Sequence, residues 1–167
     1  MRVYRLEARQ PVPIDGATAW AFFSDPMNLA ELTPPDLGFR ITSDPPERIY
    51  AGLILHYRVT PLLNLPVGWT TEITHIDEPL RFVDAQRTGP YKLWHHEHEF
   101  RSIDGGTEIC DLVHYALPLD PLSRPLHELL VRDRLIGIFQ FRSAVLRDRF
   151  GAPPDGASPP AFAIRAI

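Results

Sequence analysis

The sequence has little of what marks several protein classes. It contains one cysteine, Cys110, which excludes an intramolecular disulfide and is typical of a reducing compartment. No run approaches the ~18 apolar residues of a membrane span, and the N-terminus lacks the apolar core of a signal peptide. The 17 Lys and Arg are outnumbered by 21 Asp and Glu, which argues against a broad basic face for nucleic acid. We therefore expect a cytoplasmic protein that binds no nucleic acid and does not enter the membrane.

Motifs of catalytic and metal sites are also missing. There is no CxxC or HExxH ligand set, no nucleophile elbow and no glycine-rich phosphate loop. The sequence therefore predicts no metal site and no cofactor. Proline, in contrast, is abundant, at 18 of 167 residues. The prolines stand at the edges of patterned segments, where they mark turns and the ends of elements.

Alternating apolar and polar residues predict a series of strands. Two short helices, over 17–24 and 27–33, are expected after the first strand, with Asp15 as the cap of the first and Asp25 with Pro26 opening the second. The strand candidates are residues 3–8, 38–43, 53–61, 67–76, 81–88, 91–103 and 107–119. Sequential strands with segregated helices indicate an antiparallel α+β sheet.

After Asp120 the apolar period changes to that of a helix. Ser123 is a plausible cap and Gly151 a natural stop, which predicts one amphipathic helix of about seven turns, at 3.6 residues per turn. Its arginines, Arg142 among them, alternate with acids and predict a solvated face. Residues 1–150 should form a single domain. The proline-rich tail, 151–167, is expected to be loop-like, with its last seven residues either docked or mobile.

Three segments carry a resemblance to a known superfamily: LTPPDLGFRI (32–41), FVDAQRTGPYKLWHHEHEF (82–100) and TEICDLVHYALP (107–118). The order of strands and helices resembles that of the START-like, or SRPBCC, superfamily, and the three segments resemble in particular its stand-alone bacterial ligand-binding group, some members of which are labelled cell-division inhibitors. The resemblance covers roughly residues 1–150. It implies a helix-grip fold, in which a curved antiparallel sheet of about seven strands wraps around the long C-terminal helix and encloses an apolar cavity. Members range from carriers to cyclases, so the resemblance implies no particular reaction.

The stretch YKLWHHEHEF places three histidines within four residues. Side chains alternate faces along a strand, so Trp94, His96, His98 and Phe100 share one face while His95 lies on the other with two glutamates. The two large aromatic residues indicate that the first face is buried. We therefore predict that His96 and His98 point toward the helix and the cavity.

The same alternation on neighbouring strands gives a set of inward-facing side chains. The predicted ligand-binding residues are Tyr57, Trp69, Phe82, Gln86, Trp94, His96, His98 and Tyr115. A mainly apolar concavity with few convergent polar groups is typical of small-molecule sites. Residues 62–66, an apolar connection between two strands, are either a packed loop or a lid over the cavity.

Four interpretations of His96 and His98 stay open. They could be wall residues hydrogen-bonded to Asp84 or Asp111, direct contacts to a ligand, part of a metal site, or a general acid and base with either carboxylate. We favour a non-catalytic protein that binds a small hydrophobic molecule. The alternative is a polyketide cyclase- or dehydratase-like enzyme with His96, His98, Asp84 and Asp111 as candidate catalytic residues.

Overall fold

The computed structural model describes residues 1–60 and 65–167. The strands are β1 (Tyr4–Val12), β2 (Arg40–Ile41), β3 (Ile54–Val59), β4 (Val67–Asp77), β5 (Arg81–Thr88), β6 (Leu93–Ile103), β7 (Gly106–Ala116) and β8 (Ala161–Ala166). The helices are α1 (Gly16–Phe23), α2 (Asn28–Glu31), a 3-10 turn (Pro35–Leu37), α3 (Arg124–Leu126), a π-helical turn (His127–Val131) and α4 (Arg132–Phe150). Within the described ranges, no helix is long and apolar enough to cross a bilayer.

The strands of the described residues form one antiparallel sheet in the order β2-β3-β4-β5-β6-β7-β1-β8. Strands β2 to β7 follow one another as neighbours, and β1 returns to pair with β7, with Tyr4 opposite Tyr115. The sheet is curved and packs against the long C-terminal helix. The predicted α+β architecture is therefore confirmed, with eight strands where the sequence predicts about seven.

The additional strand comes from the proline-rich tail. Strand β8 pairs with β1, where Ala166 lies opposite Tyr4. Its Ile164 is buried in the same apolar cluster as Leu6 and Leu135. Burial of this side chain and the backbone ladder hold the segment in place, so of the two predicted states of the last seven residues the docked one is observed.

The C-terminal helix covers residues 124–150, close to the predicted extent, but it is not uniform. Ser123 stands before its first turn without a capping hydrogen bond from its side chain, and the π-helical turn separates α3 from α4. Gly151 ends the helix at a φ of 104°, a conformation that glycine adopts without a steric penalty.

One stripe of α4 is buried against the sheet. It consists of Leu135, Phe139, Arg142 and Leu146, whose spacing of four, three and four residues keeps them on one side of the helix. The prediction of a solvated arginine face is therefore wrong for Arg142. The physical reason is that this guanidinium pairs with a buried carboxylate of the sheet, Asp111.

The first short helix covers one end of the space between sheet and C-terminal helix. Asp15 caps α1, because its Oδ1 accepts a hydrogen bond of 2.7 Å from the backbone N–H of Thr18. The helix buries Trp20, whose ring meets Phe82 and Phe100 edge-on at 5.9 Å. This end of the interior is therefore packed, and the open space lies further along the sheet.

Candidate functional site

A cavity of about 500 Å³ lies between the inner face of the sheet and the C-terminal helix. Most of its wall is aromatic or aliphatic. The sheet contributes Leu55, Tyr57, Val59, Trp69, Ile73, Phe82 and Trp94, and the helices contribute Phe22, Phe23, Leu29, Leu32, Leu135, Ile138 and Phe139. Four polar side chains of the wall, Asp84, His96, His98 and Arg142, belong to one connected cluster. The cavity can therefore enclose an apolar molecule and meet a polar group of that molecule at this cluster.

Six of the eight predicted ligand-binding residues line the cavity. They are Tyr57, Trp69, Phe82, Trp94, His96 and His98. His96 and His98 are 5% and 6% exposed, so both point inward as the alternation predicts. Their contact with a ligand stays a prediction.

Gln86 has the predicted parity but does not line the cavity. Its side chain donates a 2.7 Å hydrogen bond to the carbonyl of Tyr91 and accepts one from the Tyr91 N–H at 3.3 Å. It thereby closes the turn at Gly89, where an added Cβ would stand 2.4 Å from its Oε1. Gln86 is a turn residue here because its amide matches both backbone groups of Tyr91.

Tyr115 also lies on the inner face and outside the cavity. It is fully buried, and its hydroxyl is 2.8 Å from Nε2 of His127, in the π-helical turn. The His127 ring stacks on Tyr4 with centroids 3.5 Å apart. The helix therefore covers Tyr115 directly, and the cavity begins beyond it.

The mouth of the cavity is marked by side chains that line it and are also exposed to solvent. Leu119, Leu122 and Leu126 meet both conditions, at 78%, 81% and 45% exposure. They precede or begin the C-terminal helix. Of the predicted loop or lid, 62–66, residues 62–64 lie outside the described residues.

The polar cluster is built by cross-strand register. Asp84 of β5 lies opposite His96 of β6, and Asp111 of β7 lies opposite His98. The aligned hydrogen bonds, however, are diagonal: His96 Nε2 is 2.9 Å from Asp111 Oδ1, and His98 Nε2 is 3.0 Å from Asp84 Oδ2. The two imidazoles lie 3.7 Å apart between the two carboxylates. Three adjacent strands thus place these four groups in one compact site.

The C-terminal helix completes the cluster with a residue that sequence reasoning assigned to the surface. Arg142 Nη1 donates to Asp111 Oδ1 at 3.2 Å, and its Cζ lies 4.9 Å from the centre of the Phe139 ring. The helical period of the sequence indicates that Arg142 is buried, because it falls on the same stripe as Leu135, Phe139 and Leu146. An arginine on an apolar stripe indicates a buried acidic partner.

Burial and charge act against each other in this cluster. Burial raises the pKa of Asp111, but the charge of Arg142 and the contacts of both histidines outweigh it and hold that pKa well below its usual range. Burial likewise raises the pKa of Asp84, and the contacts of His98 and His96 lower it overall. Both carboxylates are therefore ionised at neutral pH, and a buried pair of anions requires a matching positive charge.

The pKa values of the two histidines shift in opposite directions. Burial lowers the pKa of both, but for His98 the bonds and charges of Asp111 and Asp84 prevail and raise it above its usual range. For His96, burial together with the charge of His98 prevails and lowers the pKa. A positive charge on His98, together with Arg142, would balance the two carboxylates while His96 stays neutral. Such a cluster can donate and accept hydrogen bonds, exchange a proton or coordinate a cation.

Solved structures of low sequence identity share this fold. No family model matches the chain, and no curated protein matches it in sequence. A protein from Arthrobacter aurescens superposes with a TM-score of 0.66 at 13% identity, covering 92% of each chain. The major latex-like protein 151 of Panax ginseng gives 0.60 at 14% identity, covering 86% of this chain and 97% of that one. Ara h 8.0201 gives 0.57 at 19% identity, covering 87% and 99%.

This chain has the helix-grip fold. The resemblance to the START-like superfamily is thereby confirmed at the level of the fold. Identities this low carry no information on ligand or reaction, and placement in the stand-alone bacterial group stays a prediction. The helix-grip fold does explain why the cavity lies where it does, since the sheet curves around a helix that covers part of its inner face.

Proposed function

We propose that this protein is a cytoplasmic binding protein that holds one small, largely hydrophobic molecule between the sheet and the C-terminal helix without catalysis. The observation that carries the proposal is the cavity. Its volume of about 500 Å³ lies within the range of small-molecule pockets, roughly 300–1,000 Å³. Its apolar wall supplies affinity at about 25 cal/mol per Å² of apolar surface buried.

The polar cluster gives the guest an orientation. A hydroxyl group of the guest could donate to Asp84, and a carbonyl group could replace one of the carboxylate contacts of the two histidines, at one point of the wall. Elsewhere Trp69 and Trp94 meet edge-on at 5.2 Å and present ring surfaces to the cavity. A guest with an apolar ring system and one polar end fits both features.

The test combines identification of a natural guest with a blocked cavity. Protein purified from its host is extracted with organic solvent, and the extract is analysed by mass spectrometry. In parallel, the neutral fluorophore N-phenyl-1-naphthylamine is titrated into wild type and Ile138→Trp. Ile138 lines the cavity, so the indole fills space that the probe needs, and we expect probe affinity to fall roughly tenfold or more because protein interiors leave little room for adjustment.

The matched control is Gln140→Trp, which places the same indole on the exposed side of α4. It should bind the probe as wild type does. Equal probe affinity in Ile138→Trp and wild type, with both folded by circular dichroism, contradicts a guest in this cavity.

A second candidate function is acid–base catalysis on the bound molecule, as in a polyketide cyclase- or dehydratase-like enzyme. It is favoured by the contact of His96 with Asp111, since a carboxylate-bound imidazole of lowered pKa is suited to accept a proton at neutral pH. The test is exchange of the acidic C–H protons of a β-diketone in deuterated water, followed by NMR. Catalysed exchange that is lost in both His96→Ala and His98→Ala supports an enzyme, and exchange at the buffer rate supports binding alone.

A further inference from the structure

The arrangement around the two histidines has more acceptors than donors. All four ring nitrogens face carboxylate oxygens: Nε2 of His96 and Nδ1 of His98 are each 2.9 Å from Asp111 Oδ1, while Nδ1 of His96 and Nε2 of His98 are 3.5 and 3.0 Å from Asp84 Oδ2. A neutral imidazole has one N–H and one lone pair. Each neutral ring therefore turns a lone pair toward an anionic oxygen.

The hydrogen bond between His96 Nε2 and Asp111 determines where the lone pair of the His96 ring points. If Nε2 carries the hydrogen, Nδ1 of His96 presents its lone pair toward Asp84. The Nδ1 atom of His98 is near the same oxygen of Asp111 without an aligned hydrogen bond, and its Nε2 faces Asp84. One ligand atom from each of Asp84, His96 and His98 lies within 4.8 Å of the others. Facing lone pairs repel one another unless a positive charge lies between them.

We propose that Asp84, His96 and His98 bind a divalent transition-metal ion at the wall of the cavity. Two imidazoles and one carboxylate form a donor set that suits zinc and iron(II). The distances from Asp84 Oδ2 to the two ring nitrogens, 3.0 and 3.5 Å, match the roughly 3–3.5 Å between donor atoms that share a metal at about 2.1 Å.

The surroundings of the three ligands fit the same assignment. Asp111 lies behind both histidines, 2.9 Å from the ring nitrogen of each that faces away from Asp84. A carboxylate in this position orients metal-bound imidazoles and makes them more basic. Arg142, 3.2 Å from the same oxygen, offsets the charge of Asp111 and holds it behind the rings. Because all three ligands line the cavity, an open coordination position can face the guest.

From the sequence a metal at His96 and His98 is one of four open interpretations and not the favoured one, because no segment contains a spaced ligand set. His96 and His98 supply only two ligands from β6, and the third comes from β5, which the register brings alongside. The proposal does not depend on an organic guest, because the ion alone can be titrated.

The test uses the full chain, stripped with EDTA and desalted. Zinc chloride is titrated by isothermal calorimetry, and cobalt(II) chloride is followed by its visible d–d absorption. We expect one ion per chain and a cobalt spectrum of four- or five-coordinate geometry. Asp84→Asn and His98→Ala should each weaken zinc binding by about 100-fold or more, and Asp111→Asn by about 10- to 100-fold, as for other residues behind a ligand.

The matched control is His95→Ala, on the outer face of the same strand, which should leave zinc affinity unchanged. His95 and His114 lie 6.3 Å apart on that face, so loss of binding in His95→Ala with retention in His98→Ala would assign the ion to the surface and overturn the proposal. Absence of a one-to-one zinc isotherm in wild type would also overturn it and leave a proton on His98 as the balancing charge. If a variant does not fold, X-ray absorption spectroscopy of the zinc-loaded wild type tests the proposal, because the spectrum should show scattering from two imidazole ligands.

Discussion

The inner and outer faces of strands β6 and β7 carry the same chemical groups in two environments. On the inner face, His96, His98 and Asp111 are each about one-twentieth exposed, and they contact one another, Asp84 and Arg142. On the outer face, His95, His114 and the glutamates lie beside water. Glu97 contacts Arg81 there at 3.3 Å, with 26% and 55% of the two side chains exposed.

The comparison shows that buried charges of the sheet, unlike exposed ones, need a charged partner from another element. Water solvates the outer charges, so their ion pairs contribute little to stability. Inner charges have lost that solvation and depend on partners from other elements. The buried cluster therefore couples the sheet to α4 through Arg142 and Asp111, at the same wall that a guest or an ion would contact. Four substitutions test this comparison.

Substitution of Arg142 should destabilise the protein more than any other change at the inner face. In Arg142→Leu the two buried carboxylates keep the histidines as their partners but lose the permanent positive charge. We expect the free energy of unfolding in urea to fall by about 3–5 kcal/mol, the range for removing one partner of a buried ion pair. Arg147→Leu, at an exposed position of the same helix, is the control and should change it by less than about 0.5 kcal/mol. A loss below 1 kcal/mol in Arg142→Leu would mean that water reaches the cluster.

A neutral buried contact on the same face should have an intermediate effect. Tyr115→Phe removes the hydroxyl that meets His127 Nε2 at 2.8 Å and leaves that nitrogen buried. We expect a loss of about 1–3 kcal/mol in the free energy of unfolding, the cost of an unsatisfied buried polar group. Tyr50→Phe, where the ring is 56% exposed, is the matched control. An equal effect of the two substitutions would show that a water replaces the hydroxyl.

The architecture and the inward direction of the histidines could be predicted because they depend on local periodicity. The alternation of Trp94, His96, His98 and Phe100 gives a face, and the 3.6-residue period gives a helix. Which groups touch could not be predicted. The diagonal contacts of His96 with Asp111 and of His98 with Asp84 depend on register and rotamer.

The position of a residue in the strand alternation predicts the face of the sheet on which its side chain lies. It does not predict whether that side chain reaches the cavity. Gln86 and Tyr115 have the same parity as cavity residues, yet one closes a turn and the other lies beneath the π-helical turn. Docking of the tail as a strand could not be predicted for a similar reason. Its pattern AFAIRAI is short and weak, and its stability depends on the edge of β1 and on burial of Ile164.

The outer face should respond weakly to the loss of a charge pair. Glu97→Gln removes the contact with Arg81 while keeping the shape of the side chain. We expect the free energy of unfolding to change by less than about 1 kcal/mol, and the change to vanish in high salt, because exposed pairs are screened. Urea unfolding at low and high ionic strength measures both. A salt-insensitive loss as large as that of Arg142→Leu would erase the distinction between the two faces.

The smallest effect concerns the outer histidine His114 and the response to acid. Burial, and after it the charges of Arg5 and His95, lower the pKa of His114, while Glu97 and Glu7 act in the opposite direction. Because the pKa in the folded state lies below the ordinary histidine value of 6.5, the unfolded chain takes up this proton first as the pH falls. The stability that His114 contributes is therefore complete above pH 6.5 and is lost as the pH falls through the folded-state value. His114→Gln should remove this loss. As the pH falls from about 7 to 5, the unfolding free energy of the variant should therefore rise relative to that of wild type. We expect the change to be less than about 1 kcal/mol, since one pKa unit corresponds to about 1.4 kcal/mol. Urea unfolding across that range measures the shift, with His75→Gln, an exposed histidine on β4, as the control. A difference that does not change with pH would show that His114 is as well solvated as the glutamates beside it.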